Sequence, residues 1–423
     1  MKRQGVCEQF LGDSGHARER GQVEGAHDRQ TRPPLRLPRC PDGGWLASAD
    51  GRTTNNQNFV DDAALWDAED GGFRHVVTGL KLAASPVEAP GHVRLSLAGA
   101  ELGEGGAPGP PAAFRVAHGP ADLPSVYLET LRAQGWVALP CILDPSVVDG
   151  LQKLGGVDAY EGAEIERGED RGRHLVLDPA MARSTVEPLS LWLCRQYMRV
   201  EDIKLGHPPS VTALTPDDGE RAVQGWHADF PYMWGSDRSA GGYRVPPGAD
   251  ELCLALQRNI CVSDFRAENG ATVFKLESHQ NHALPPAEWG RANRTFRPGD
   301  RQANGLPYDG EETDILEAPA GTIILYDART WHRAGMNRTN RRRGAVIQAV
   351  TPGFVMPFMD NSAVYKAFLA SEIPAQLTER ERIEMENLMV HRIVGPAGVF
   401  AISPDETLTP AVRARAKAGA GAY

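Results

Sequence analysis

Residues 226–230 read WHADF. On an extended strand, positions two apart point to the same face. The imidazole of His227 and the carboxylate of Asp229 can therefore converge on one metal ion. The pair alone says little: with 12 His and 55 Asp plus Glu in 423 residues, roughly 1.6 such His-x-acid pairs arise by chance. A facial iron site needs a second histidine and leaves three positions open. The later candidates are His279, His282 and His332. The first two lie in a polar loop, ESHQNHALPP, where a surface or substrate-loop role competes. His332 is better placed, because it follows the apolar strand pattern TIILY at 322–326.

After His332 the run MNRTN has the composition of a hairpin turn. Positions 332 and 343 are equidistant from its centre, so a regular antiparallel pair sets His332 and Arg343 opposite each other on one face. Arg342 then points away. An arginine facing an apolar barrel is costly unless it meets an anion, and its planar fork matches a carboxylate at two points. A metal with a carboxylate receptor nearby suits 2-oxoglutarate, whose keto-acid end chelates iron and whose far carboxylate needs a cation. The competing reading of Arg343 is one member of a solvated basic cluster, RRR at 341–343. Phe230, Tyr232 and Trp234 follow the metal pair at alternating positions. If the strand runs on through Pro231 they share the face of Asp229 and line a substrate entrance; core packing is their alternative. Gln224 and Trp226 are further candidate neighbours of the substrate.

These residues need a scaffold of strands. Apolar runs near 211–214, 252–262, 271–276, 322–326 and 345–350 are separated by Gly, Pro and Asn clusters without interleaved helices. That pattern predicts an antiparallel barrel or jelly roll rather than a parallel α/β sheet. Helices are expected on its flanks: LPSVYLETLRAQG ending at Gly135, a helix entered through Asp144-Pro145, LSLWLCRQYM, and IEMENLMV behind a Thr378–Glu381 capping box. Residues 1–40 carry too few apolar side chains to offset ordering entropy and are expected to be mostly disordered. Residues 41–118 read as an accessory β-rich region, either an irregular extension of the main domain or a partial trefoil-like repeat. The main domain is assigned to 119–400, with a tail at 401–423.

Composition sets outer limits. A net charge of −10 argues against general nucleic-acid binding. No apolar stretch is long enough to span a bilayer, and the N-terminus lacks the apolar core of a secretory signal. The six cysteines form no CxxC pair and read as reduced, mostly buried thiols, which points to the cytoplasm. A small-molecule substrate is the expected partner.

The ordered set HxD at 227–229, ENGAT at 268–272 with Ser278-His279, and His332, Asn337, Thr339 and Arg343 resembles the phytanoyl-CoA dioxygenase family. QGWVALPCILDPSVVDGL is similar to the family's opening strand and helix, and the likeness runs over roughly 121–360. The resemblance implies a double-stranded β-helix (jelly roll, cupin-like) core with flanking helices. It also implies Fe(II) held by His227, Asp229 and His332, 2-oxoglutarate held by Arg343, and O2 as second cosubstrate. The implied reaction is oxidation of a substrate C–H bond, with succinate and CO2 as coproducts. The aspartate at 229 favours hydroxylation over halogenation, since halogenating relatives vacate that position for chloride. Two positions depart from the pattern. Leu276-Glu277 stand where the family has Pro-Gly, and Ala334 stands where a small hydroxyl residue is common. Two other functions remain: an inactive relative that binds partners through its N-terminal β region, and a cupin-type metalloenzyme that does not use 2-oxoglutarate.

Overall fold

The computed structural model describes residues 35–39, 45–49, 52–56, 60–69, 71–87, 92–97, 113–162, 173–219, 225–233, 245, 251–286, 289, 313–357, 359–395 and 398–401. Strands β1 (Arg36–Arg39), β2 (Trp45–Ala49), β3 (Arg52–Asn56), β4 (Trp66–Glu69), β5 (Gly72–His75), β6 (Lys81–Pro86), β7 (His92–Leu97) and β8 (Ala113–His118) form one antiparallel sheet. Strand β1 pairs with β8 along its whole length, and its other edge meets β2 and β4, so the sheet closes on itself. Leu46, Trp66, Phe73 and Leu82 fill its interior. Residues 36–39 lie at the end of the segment expected to be mostly disordered. They are ordered because Leu35 and Leu37 are buried and the backbone is paired. The rest of that segment, residues 1–34 and 40, lies outside the described residues.

The main domain begins with α1 (Pro124–Gln134), β9 (Trp136–Leu139), α2 (Pro145–Gly155), α3 (His174–Leu177), α4 (Pro179–Thr185) and α5 (Pro188–Met198). Helix α1 ends at Gly135, whose φ of 82° is left-handed, a conformation glycine adopts without steric cost. The barrel strands are β10 (Ile203–Leu205), β11 (Ser210–Leu214), β12 (Leu256–Cys261), β13 (Val273–Lys275), β14 (Thr313–Ile315), β15 (Ile323–Asp327), β16 (His332–Arg333), β17 (Arg343–Ile347) and β18 (Ala349–Pro352). They form two curled antiparallel sheets. The larger runs β10-β18-β12-β15-β9, with β17 joining β12 to β11; the smaller runs β14-β13-β16. This is a jelly-roll core of the cupin-like, double-stranded β-helix kind. Helices α6 (Ser362–Ala370) and α7 (Glu379–Met389) follow, and Thr378 and Glu381 form the expected capping box.

The larger sheet is buried on both faces, which explains its near-continuous apolar strands. Ile323, Leu325, Leu256, Ile260, Val137, Leu139 and Val346 pack on the helices. The alternate residues Ile324, Tyr326, Cys261 and Ala345 face the barrel interior with Phe265 and Phe274, and Trp136 and Ala138 pack against that cluster. Leu35, Leu37, Trp45 and Leu65 of the N-terminal sheet belong to the same core as Tyr127, Leu128 and Leu131 of α1. Asp62 fastens the junction by accepting from the Ser125 amide (3.0 Å) and hydroxyl (2.7 Å).

Two expectations need correction. His332 and Arg343 do not pair across a hairpin: β16 pairs with β13, whereas β17 pairs with β11 and β12. The side chain of Asn337 holds the intervening segment off a regular ladder by donating to the carbonyls of Leu214 (3.1 Å) and Arg341 (2.7 Å). Not all thiols are free: Cys194, Cys253 and Cys261 are, but Cys141 is disulfide-bonded. Among the described residues, no helix is long and apolar enough to cross a membrane.

Because the N-terminal sheet shares a core with the helices, thermal unfolding should show one transition for both, where two separated transitions would contradict the shared core. Leu65→Ala, at a fully buried position, should cost about 2–5 kcal/mol in urea denaturation.

Candidate metal centre

His227 lies just before a turn and His332 opens β16. Their backbones form an isolated antiparallel bridge: each amide donates to the other's carbonyl, at 3.1 and 3.0 Å. The bridge sets the two imidazoles side by side, with ring centroids 4.4 Å apart. Each Nδ1 lies 2.9 Å from a carbonyl oxygen, that of Gly225 for His227 and that of Thr330 for His332. A carbonyl only accepts, so both Nδ1 atoms carry the proton and both Nε2 atoms keep a lone pair for a metal. Burial, reinforced by the neighbouring His332, pushes the His227 pKa down to about 4, so its imidazole is neutral at ordinary pH.

Asp229 completes the set. Its Oδ1 is 3.6 Å from His227 Nε2 and its Oδ2 is 3.3 Å from His332 Nε2. One candidate ligand atom from each residue lies within 4.8 Å of the others, the only such group of three found among the described residues. Two imidazoles and one carboxylate in one cluster are the donors that suit ferrous iron with open positions.

The turn after β15 holds this arrangement. The Ala328 carbonyl accepts from the Asp229 amide at 2.8 Å. The Asp327 carboxylate takes two donors from the Arg329 guanidinium, at 2.9 and 2.7 Å, and a third from the Tyr197 hydroxyl at 2.8 Å. Thr330 donates to the Gly135 carbonyl, and the Trp331 amide to Ser278 Oγ. Behind the ligands, Trp226 and Trp331 both pack on Trp289, with centroids 5.4 and 6.0 Å apart.

Arg343 is buried at the start of β17 with its guanidinium carbon 4.1 Å from the centroid of the Phe265 ring. Ala345, two residues on, pairs with Cys261 of β12, and Tyr326 at the other end of the interior lies against His332. The apolar interior thus has candidate metal ligands at one end and a cation towards the other. Arg342 is half-buried, and its amide donates to Glu161 at 2.9 Å.

The other expected residues fare differently. The chain turns at 230–232 instead of continuing as a strand, so Phe230 and Tyr232 do not share the face of Asp229 by alternation. Tyr232 is fully buried against Ala255 and Ala328, and its hydroxyl bonds the 252–254 backbone. Phe230 is half-buried, and Gln224 and Trp234 lie outside the described residues. His279 is no ligand: its Nε2 lies 3.1 Å from the Arg132 carbonyl, against the end of α1. Gly270 of ENGAT has φ +86°, and a Cβ there would meet Leu214 at 2.6 Å and the Met336–Asn337 backbone at 3.0 Å; glycine is what lets this turn pass so close to that backbone. Sequence reasoning missed Tyr326 and Asn259. Inward alternation along β15 and β12 was the available signal.

A family model described as phytanoyl-CoA dioxygenase (PhyH) matches residues 131–345, which bracket all four candidate residues. The chain belongs to the phytanoyl-CoA dioxygenase family. Members use Fe(II), 2-oxoglutarate and O2, and the donor set described above fits that metal. Dioxygenase olcK of Penicillium canescens is 28% identical over 162 residues, 38% of this chain and 44% of that protein, so the match spans less than half of that relative. Among solved structures, the α-ketoglutarate-dependent epimerase SnoN from nogalamycin biosynthesis is 18% identical, covering 54% of this chain and 83% of its own, with a TM-score of 0.35. HygX from Streptomyces hygroscopicus is 14% identical, covering 55% and 88%, with a TM-score of 0.40.

Removing Asp327 leaves the buried Arg329 charge without its carboxylate. Asp327→Ala should therefore cost about 3–5 kcal/mol of stability by chemical denaturation; a loss below about 1 kcal/mol would show that this ion pair does not hold the turn.

Proposed function

We propose that the protein is an Fe(II)- and 2-oxoglutarate-dependent dioxygenase that hydroxylates, or otherwise oxidises, a C–H bond of a small organic substrate, releasing succinate and CO2. The observation that supports this reading best is the cluster of His227, Asp229 and His332, together with a buried Arg343 packed on Phe265 of the same apolar cluster that holds Tyr326 beside His332. When bound, iron with 2-oxoglutarate and O2 supplies the oxidising chemistry through decarboxylation of the cosubstrate. The protein contributes orientation and apolar surroundings. The Gly225 and Thr330 carbonyls fix both imidazoles so that Nε2 faces the metal position. Arg343, braced on Phe265, offers its fork to the far carboxylate of 2-oxoglutarate. Ile324, Phe274 and Ala345 exclude water from the path between them. Asp229 fills the position that a halogenating enzyme would leave to chloride, which supports oxygenation.

Two outcomes test this. Anaerobic protein with Fe(II) should develop a weak visible charge-transfer band on addition of 2-oxoglutarate, and in air should form succinate slowly without further substrate. Arg343→Ala should still bind Fe(II) but lose 2-oxoglutarate affinity by at least ~10-fold, the loss of a charge-assisted contact of about 1.5–3 kcal/mol, measured by calorimetric titration. Unchanged 2-oxoglutarate affinity would favour a metalloenzyme that does not use it.

A further inference from the structure

The phenol of Tyr326 stands inside the metal centre. Its hydroxyl is 3.2 Å from Asp229 Oδ2 and 3.4 Å from His332 Nε2, and the Asn259 side-chain amide reaches it at 3.4 Å. The ring is buried, edge-on to Phe274 at 5.0 Å and tilted against the His332 ring at 4.8 Å. Neighbouring strands fix its place, since β15 is paired on both edges, with Tyr326 opposite Trp136 on β9 and Gln257 on β12.

These contacts have a consequence for coordination. A carboxylate can bind a metal through one oxygen or two. A second oxygen would close one of the three positions that a chelating 2-oxoacid and O2 require. Once His332 Nε2 is committed to a metal it no longer accepts a hydrogen bond, and the phenol's remaining acceptor in this group is Asp229 Oδ2. Asn259 donates to the phenol oxygen, which leaves the phenol proton free to point at the carboxylate.

We infer that Tyr326, steadied by Asn259, is a positioning residue that ties up Oδ2 of Asp229 so that the carboxylate binds iron through Oδ1 alone and the third open position stays open. This rests on the reading of the site as an Fe(II)/2-oxoglutarate centre. It goes beyond that reading by assigning a role to two residues outside the triad and outside Arg343.

The test uses Co(II) as a spectroscopic stand-in for iron, in the full chain without oxygen. Tyr326→Phe removes only the hydroxyl. It should weaken Co(II) binding by ~10-fold or more, the usual scale for loss of an outer hydrogen bond to a ligand. Visible Co(II) absorption should also lose intensity as the freed oxygen joins the metal, and 2-oxoglutarate should bind the Co(II) form more weakly. Asn259→Ala keeps the phenol and should shift all three readouts in the same direction by a smaller factor. It serves as the second variant should Tyr326→Phe fold poorly. A purely packing role would lower the melting temperature while leaving the Co(II) spectrum unchanged, and that result overturns the inference. So does a Tyr326→Phe protein that matches wild type in metal affinity and spectrum. Wild-type protein that binds no divalent metal overturns the underlying reading and this inference together.

Discussion

The structure depends on one backbone contact, the pair of amide–carbonyl bonds between His227 and His332. The two residues come from distant parts of the sequence, and neither belongs to a long strand. Their bridge brings two imidazoles to 4.4 Å and admits Asp229, whose own amide is held by Ala328. The turn after β15 therefore carries unusual weight. Between Asp327 and His332 it holds the Asp229 backbone, sets the His332 tautomer through the Thr330 carbonyl, and anchors to Gly135 and Ser278. An ion pair as enclosed as Asp327–Arg329 adds little net stability compared with apolar packing. Its use here is geometric, because it holds a short turn in one conformation.

Burial of the large sheet on both faces sorts its polar residues by role. Arg258 points to the helical side, where Ser190, Ser184 and Gln348 accept its donors. Burial lowers its pKa, and its contacts are those of a structural cation. Arg343 points to the interior and lies over Phe265. Two buried arginines of one sheet thus differ in surroundings through the face on which each lies. Tyr326 and Ile324, two apart on β15, likewise mark the metal end and the middle of the interior. Burial, with the Asp229 carboxylate beside it, pushes the Tyr326 phenol well above its usual pKa.

Much of this was legible in the residues. His227 and Asp229 could be chosen because a histidine and a carboxylate two apart can share a strand face, and His332 because it follows an apolar strand pattern. The jelly-roll core followed from strands spaced by turn residues without helices between them, and the capping box located α7. The inward placement of Arg343 was anticipated through a hairpin that does not form. Alternation along β17 gives the same side-chain direction, which is why a wrong pairing led to a right face. Alternation failed at Phe230 and Tyr232, because a turn resets the period and the sequence pattern carries no mark of it beyond Pro231. Tyr326 escaped notice because an apolar strand conceals which of its members faces a ligand until the partner strands are known. The closure of the N-terminal sheet by β1 and β8 is a long-range pairing, and local patterns hold no register information for it.

Anomalous diffraction at the iron edge, from crystals grown anaerobically with Fe(II) and 2-oxoglutarate, tests the central claim most directly. The account predicts one strong peak within bonding distance of His227 Nε2, His332 Nε2 and a single oxygen of Asp229, with the far carboxylate of 2-oxoglutarate on Arg343. A peak elsewhere, or an ion bound without one of these three residues, would contradict it.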